Sequence, residues 1–260
     1  MIESGTPSDG RVHLSIDNYI AILTLERPAK LNALGPAMLE ELEGIVDRID
    51  RDLEVRVVIV TGAGDRAFCV GADINAWSAL DPLDMWRSWV RTGHRVLRRL
   101  AGLRQPTIAA INGYAFGGGL ELALATDIRV AAGSATFAMP ETTIATLPGW
   151  AGTRRLPAAI GAARAKQMIF TGARIDAATA EGWGLINEIA PDGILMSRAI
   201  EFATAIAANA PLAVQMAKAS IDGDDEALEA FAGVLAAGSE DGREGIAAFR
   251  EKRPPRFSGR

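Results

Sequence analysis

Apolar residues alternate with polar ones in two short stretches near the start of the chain, 12–16 and 20–25, with a polar turn between them. This alternation predicts an N-terminal β-hairpin. From Pro36 onward, apolar residues recur at intervals of three and four as far as Leu53, which predicts a long amphipathic helix. A continuous apolar run at 55–60 then predicts a buried strand.

Further along, Asp81-Pro82 is typical of the start of a second long helix, and Pro106 of the start of another strand. Strands that alternate with helices indicate parallel pairing through βαβ crossovers, so the predicted fold class is α/β. After about residue 195 the strand signals stop. Four helices are expected there, at 194–208, 211–220, 225–237 and 239–252. The expected organisation is a flexible tail at 1–10, an α/β core at 11–195 and a helical region at 196–260.

Composition narrows the class of protein. A chain of 260 residues with 49% hydrophobic residues is long enough for a sizeable core, and its net charge of −5 provides no general attraction for nucleic acid or an anionic membrane. The single cysteine, Cys69, excludes an internal disulfide and is typical of a reducing compartment. No apolar run reaches membrane-spanning length, and the first residues lack a signal-peptide pattern. A cytoplasmic location is therefore expected.

Three consecutive glycines, Gly117 to Gly119, join the β-type run at 106–111 to an apolar helix-type run that carries Glu121 in its first turn. Glycine lets a backbone come close to a ligand, and a helix start offers unpaired N–H groups. Such donors stabilise a developing negative charge, and a carboxylate beside them can move a proton. This segment is the strongest indication of an active site.

A second glycine-bearing loop, Gly71-Ala72-Asp73, follows the strand predicted at 55–60. By itself it is explained by a strand-to-helix turn with Asp73 as the helix cap. Beside the triple glycine it gains significance, because the two N–H donors of an oxyanion hole can come from separate loops. Glu141 follows Pro140 and can return to the same pocket, although a solvated turn is the alternative. Two carboxylates around one water can add that water across a double bond.

An ordered series of motifs resembles the enoyl-CoA hydratases of the crotonase superfamily. These motifs are Glu26 to Leu34, Phe68 to Ile74, Asn112 to Asp127, Pro140-Glu141, Leu147 to Gly149, Thr171-Gly172, Gly184 to Ile186 and Glu240 to Phe249. The resemblance implies a crotonase-type spiral of βαβ units whose C-terminal helices form an oligomerisation region, giving trimers that usually pair into hexamers. It also implies an acyl-CoA substrate, with coenzyme A entering as part of that substrate and with no separate cofactor or metal.

Carried onto this chain, the resemblance implies that the N–H groups of Ala72 and Gly118 form the oxyanion hole for the thioester oxygen. Glu121 and Glu141 then hold and activate water for syn addition to a trans-2-enoyl-CoA, giving a 3-hydroxyacyl-CoA. Two glutamates favour a hydratase, because the isomerases of the superfamily commonly keep one. The walls of the substrate pocket are expected to include Ala72, Asp73, Ile74 and Gly118.

The chain also departs from the family pattern. Val70 stands where alanine is usual, Ala145 where glycine is usual, and Trp150-Ala151 where small residues are usual. Trp150 follows Glu141 closely enough to line the acyl pocket as a substrate-binding residue. A tryptophan of the core or of a subunit interface is the equal alternative.

Three other functions compete with the hydratase. An isomerase or another acyl-CoA enzyme of the superfamily is one, and a catalytically silent crotonase-fold protein is disfavoured because both carboxylates and both glycine loops are present. The third is an RNA-binding protein, since relatives that resemble 3-methylglutaconyl-CoA hydratase bind RNA through a basic helix. That helix lies in the region of the second long helix predicted for this chain. The arginines concerned are Arg87, Arg91, Arg95, Arg98, Arg99 and Arg104. A solvated face, a subunit contact or a site for the CoA phosphates explains them more simply in an acidic chain, so no nucleic-acid partner is expected.

Overall fold

A computed structural model describes residues 9–191, 193–223 and 226–260. Most of the tail expected at 1–10 therefore lies outside the described residues. The described strands are β1 Arg11–Asp17, β2 Ile20–Glu26, β3 Val57–Gly62, β4 Ala67–Cys69, β5 Thr107–Ile111, β6 Tyr114–Phe116, β7 Ile128–Ala132, β8 Thr136–Ala138, β9 Ile175–Asp176 and β10 Glu188–Ala190.

The helices follow the amphipathic stretches of the sequence. They are α1 Pro36–Arg51, α2 Ile74–Trp77, α3 Pro82–Asp84, α4 Arg91–Ala101, α5 Gly118–Ala123, α6 Gly152–Ile160, α7 Ala162–Thr171, α8 Ala177–Trp183, α9 Leu195–Ala207, α10 Pro211–Gly223, α11 Glu226–Gly238 and α12 Glu240–Glu251. The first long helix ends earlier than its apolar spacing predicts. Asp52 turns extended, so Leu53 lies beyond α1 and is 81% exposed.

Six strands form the larger sheet in the order β1-β2-β3-β5-β7-β10. The predicted hairpin is confirmed, because β1 and β2 pair antiparallel. All the other neighbours in this sheet pair in parallel. The smaller sheet has the order β4-β6-β8-β9, and β4, β6 and β8 pair in parallel there.

The chain alternates between these sheets in a repeating path. Strands β3, β5 and β7 of the larger sheet are each followed by a strand of the smaller sheet, namely β4, β6 and β8. Helices return the chain from β4 to β5, and α5 returns it from β6 to β7. The result is the α/β spiral of βαβ units that the motifs imply.

Two segments differ from the sequence-based expectation. The second long helix is not uniform: α3 is followed by a π-helical stretch, Met85–Val90, before α4 begins. The apolar run at 106–111 also does not enter the triple glycine directly, because β6 lies between them. Asn112 lies in the turn between β5 and β6, where its Nδ2 donates to the carbonyls of Gly62 at 2.9 Å and Gly64 at 2.7 Å and so holds the turn against the end of β3.

Both faces of the larger sheet are covered. One face packs against α1 and α4, and α9 covers the other with Ala199, Ala203 and Ala207. Every residue of β3 and β5 is buried, as expected for parallel strands with helices on both sides. Because α9 is part of this packing, the helices after residue 195 begin on the sheet itself. The domain boundary expected at that point stays a prediction.

The last three helices leave large apolar side chains exposed. These side chains are Ile221, Leu228, Phe231, Val234, Leu235, Ile246 and Phe249. None of the described helices combines the length and apolar content needed to cross a bilayer.

Candidate active site

The two glycine-bearing loops meet at the start of α5. Gly71 has φ +100°, and a Cβ there would lie 2.9 Å from the nitrogen of Gly118. A Cβ on Gly118 would in turn lie 3.4 Å from the nitrogen of Ala72. The fold therefore brings the Ala72 and Gly118 backbones together, and side chains at Gly71 or Gly118 would obstruct this approach.

Glu121 is almost fully buried, with 2% of its surface exposed. Its Oε1 accepts hydrogen bonds from the backbone N–H groups of Trp150 at 2.7 Å and Gly152 at 2.6 Å. Ala151, between the two donors, has φ +80°, and this left-handed residue lets both neighbouring N–H groups face one oxygen. Burial raises the pKa of Glu121 to about 7, outweighing these hydrogen bonds, and the charge of Glu141 raises it further.

Glu141 begins a single 3-10 turn, Glu141–Ile144, that follows β8. The carboxylate packs against Gly117, where a Cβ would lie 2.8 Å from Oε1. Its Oε2 is buried and has no hydrogen-bond partner among the described residues. Burial raises the pKa of this carboxyl group as well. An uncommitted oxygen of this kind is available to a water or to a reacting group.

Both glutamates line one cleft, together with Ala72 and Gly118. Most of the remaining wall is apolar. Its large apolar side chains include Ile74, Trp77, Met85, Trp89, Ile144 and Leu147. The cleft therefore combines a polar end, where backbone donors and carboxylates meet, with an apolar wall suited to a hydrocarbon group.

Trp150 lies both in the wall of the cleft and in the hydrophobic core, which were alternatives in the sequence analysis. It lines the cleft, yet it is only 2% exposed and belongs to the hydrophobic core. Its ring packs against Trp89 with the centroids 5.6 Å apart and the planes tilted by 47°. The sequence does not predict this pairing, because Trp89 lies in the π-helical stretch of a distant segment.

Asp73 and Ile74 are placed differently from each other. The Asp73 carboxylate accepts a hydrogen bond from the Asn75 N–H at 3.1 Å and pairs with Arg27 at 2.7 Å. It caps α2, as the simpler explanation of the loop predicts, and it is not among the described residues that line the cleft. A contact between Asp73 and the substrate stays a prediction. Ile74 does line the cleft and is 52% exposed.

Several residues at the site carry no local sequence signal. Met85 and Trp89 line the cleft from the π-helical stretch, and their four-residue spacing is the only hint of a shared face. Arg155 of α6 donates from Nη2 to the Leu97 carbonyl at 3.4 Å. Its positive charge opposes the rise in the pKa of Glu121.

The basic face of α4 is engaged by acidic residues of α1. Arg95 forms a bidentate pair with Glu43 at 2.6 and 2.8 Å, and Arg99 pairs with Glu43 and Asp47. Arg104 donates to the Asp52 carbonyl at 2.9 Å. These cations are therefore committed to contacts within the chain, although the absence of a nucleic-acid partner stays a prediction.

Cys69 lies beside the Gly71 loop but is completely buried. Burial raises the pKa of its thiol to about 12. Because a thiolate is the reactive form, this side chain is suited to packing rather than to nucleophilic attack.

Comparison with known proteins identifies the family of this chain. Residues 15–260 match the enoyl-CoA hydratase/isomerase family. The chain is 39% identical to the short-chain-enoyl-CoA hydratase of Clostridium acetobutylicum, over 93% of this chain and 95% of that protein. It is 40% identical to the (E)-benzylidenesuccinyl-CoA hydratase of Thauera aromatica, over 95% and 99% of the two chains. The crystal structure of an enoyl-CoA hydratase from Bacillus anthracis superposes with a TM-score of 0.92 at 40% identity, covering 96% of this chain and 99% of that one. The chain therefore belongs to the enoyl-CoA hydratase/isomerase family of the crotonase superfamily.

Proposed function

We propose that this enzyme is an enoyl-CoA hydratase that adds water across the 2,3 double bond of a trans-2-enoyl-CoA to give a 3-hydroxyacyl-CoA. The observation that carries the proposal is the placement of Glu121 and Glu141 on one cleft beside the paired loops of Ala72 and Gly118. An isomerase needs one base to move a proton between two carbons. A hydratase must handle both protons of a water, which a pair of carboxylates does well.

The geometry suggests how the parts work together. The N–H groups of Ala72 and Gly118 receive the thioester oxygen, whose negative charge grows as water attacks C3. Glu121 and Glu141 hold that water, so that one carboxylate accepts its proton while the other carboxyl group protonates C2. The hydroxyl forms the new bond to C3, and the enolate electrons take up the proton at C2. Burial and, to a smaller extent, the charge of Glu141 raise the pKa of Glu121 to about 7, so the pair is suited to sharing one proton near neutral pH.

Relatives support the reaction class without defining the substrate. Proteins similar to this chain include one named a short-chain-enoyl-CoA hydratase and one named a crotonyl-CoA hydratase, from Syntrophomonas wolfei. Self-association into a trimer or hexamer through the exposed apolar residues of α11 and α12 remains part of the proposal, as does a cytoplasmic location. Sedimentation of the purified protein as a monomer would contradict the oligomer.

The reaction is tested with a panel of trans-2-enoyl-CoAs and the matching 3-enoyl-CoAs. Hydration removes the conjugated thioester, so absorbance should fall with the 2-enoyl substrates. Isomerisation creates conjugation, so absorbance would rise with the 3-enoyl substrates. We expect kcat/KM for hydration to exceed that for isomerisation. A chain that only isomerises contradicts the proposal and favours the single-base alternative.

A further inference from the structure

Gly93 on α4 leaves a notch that the indole of Trp150 fills. A Cβ at residue 93 would overlap the pyrrole side of this indole at Nε1, Cε2 and Cδ1. Met85, Trp89 and Gly93 are spaced four residues apart, so they lie along one side of the helical segment that borders the cleft. No residue larger than glycine fits at 93 while Trp150 keeps its position.

The opposite edge of the indole reaches the start of α5. A Cβ on Gly118 would lie 2.7 Å from Cζ3 and 2.9 Å from Cε3 of Trp150. The ring thus spans the space between Gly118 and α4, with Trp89 packed against it. The Trp150 backbone is held as well, because its N–H donates to Glu121. Contacts on several sides fix this tryptophan in one position.

We propose that Trp150, seated in the notch at Gly93, closes the cleft on the α4 side and restricts the substrate to thioesters with a short acyl chain. This inference rests on the proposed function, because it places the thioester carbonyl beside Ala72 and Gly118. The acyl group then extends past Glu121 along the apolar wall. The indole occupies the volume into which further methylenes would extend.

The rigidity of the indole makes it a size filter. A well-packed side chain with 2% exposure cannot yield to a longer chain without disturbing α4 and Glu121. In hydrophobic pockets, one methylene too many or too few changes discrimination by about 10- to 200-fold. A fixed indole in the wall of the cleft is therefore sufficient to select chain length.

The test uses Trp150→Ala, Trp150→Phe and Gly93→Ala, with Gly182→Ala as the matched glycine control, since a Cβ at Gly182 meets nothing within 4 Å. Dissociation constants of butyryl-, hexanoyl-, octanoyl- and decanoyl-CoA are measured by calorimetry, because saturated thioesters bind without being hydrated. The kcat/KM values of the matching 2-enoyl-CoAs are measured in parallel. Circular dichroism establishes that each variant is folded.

We expect the unaltered enzyme to prefer butyryl- over decanoyl-CoA. Trp150→Ala should raise decanoyl relative to butyryl affinity about tenfold, and Trp150→Phe should shift it less. Gly93→Ala should push the indole into the cleft and weaken hexanoyl-CoA binding relative to butyryl-CoA binding about tenfold. Combining Gly93→Ala with Trp150→Ala should give a protein that resembles Trp150→Ala, because the indole that the new Cβ displaces is then absent. Gly182→Ala should resemble the unaltered enzyme.

The inference is overturned if the unaltered enzyme binds decanoyl-CoA as tightly as butyryl-CoA. It is also overturned if folded Trp150→Phe and Gly93→Ala both leave the chain-length ratio unchanged. Its failure is distinguishable from that of the proposed function. Hydration with unchanged ratios removes only the size filter, whereas shifted binding ratios without hydration by any variant remove only the hydratase.

Discussion

Glu121 and Glu141 reach the same cleft from different kinds of backbone. Glu121 projects from the first turn of α5, is 2% exposed, and has one oxygen tied to two N–H groups. Glu141 projects from a 3-10 turn and keeps one buried oxygen without a hydrogen-bond partner among the described residues. Identical side chains are thus given different surroundings at one site, one fixed by the backbone and the other with an oxygen uncommitted.

This difference shows how a fold assigns properties to a pair of carboxylates. Burial is the main cause of both pKa shifts, but the neighbouring charge of Glu141 raises the pKa of Glu121 further. Environment rather than residue type therefore decides how each group holds its proton.

Removing either carboxylate should produce the largest loss. Glu121→Gln and Glu141→Gln should each keep the fold and CoA binding while lowering kcat for hydration about 10²- to 10⁴-fold, the usual range for a general acid or base. Steady-state kinetics with the preferred 2-enoyl-CoA measures this. The double variant should lose far less than the product of the single losses, because the pair acts on one water.

A different outcome would show that the two carboxylates do not act as a pair. If Glu121→Gln hydrates 2-enoyl substrates at nearly the original rate while Glu141→Gln abolishes double-bond migration, Glu141 is a single base. The chain would then be an isomerase.

The second prediction concerns stability and pH. The folded pKa of Glu121, about 7, lies above its usual value of 4.5, so the folded state binds the proton more tightly. The resulting stabilisation is fully present below pH 4.5 and is lost as the pH rises through 7. At about 1.4 kcal/mol per pKa unit, the loss is about 3 kcal/mol.

Urea unfolding of the unaltered protein and Glu121→Gln at pH 5 and pH 8 measures this loss. The difference in unfolding free energy between the two proteins should change by about 2–3 kcal/mol in favour of the glutamine variant at pH 8. Glu141→Gln, at the less buried carboxylate, serves as the comparison. Its difference in unfolding free energy from the unaltered protein should change less between pH 5 and pH 8. A pH-independent difference for Glu121→Gln would mean that its charge is not penalised in the folded state.

The smallest effect should follow from crowding Glu121 without removing it. A Cβ on Gly152 would lie 2.9 Å from the Glu121 Oε1, which is closer than Cβ atoms normally approach. Gly152→Ala should therefore displace the carboxylate and lower kcat about tenfold, with little change in KM, because catalytic geometry tolerates little misplacement. Gly182→Ala is the control, and equal kinetics for the two variants would show that the position of Oε1 is not critical.

Much of the fold could be predicted because it is encoded locally. The alternation at 12–16 and 20–25 predicted the hairpin, and three- and four-residue spacings predicted α1 and the helices after residue 195 to within a few residues. The π-helical stretch Met85–Val90 was not predictable, because no simple periodicity distinguishes it from an α-helix. Nor was the short strand β6, whose pairing partners β4 and β8 are distant in sequence.

The α/β class, the two glycine loops and the two candidate carboxylates could be inferred from the sequence alone, since they depend on residue type and short-range spacing. The use made of each side chain depends instead on tertiary contacts. Asp73 became a helix cap because Arg27 and the Asn75 N–H reach its carboxylate. Trp150 became a wall of the cleft because α4 offers a notch at Gly93. Proton affinity and pocket shape depend on burial and on contacts between distant segments, and these exist only once the chain has folded.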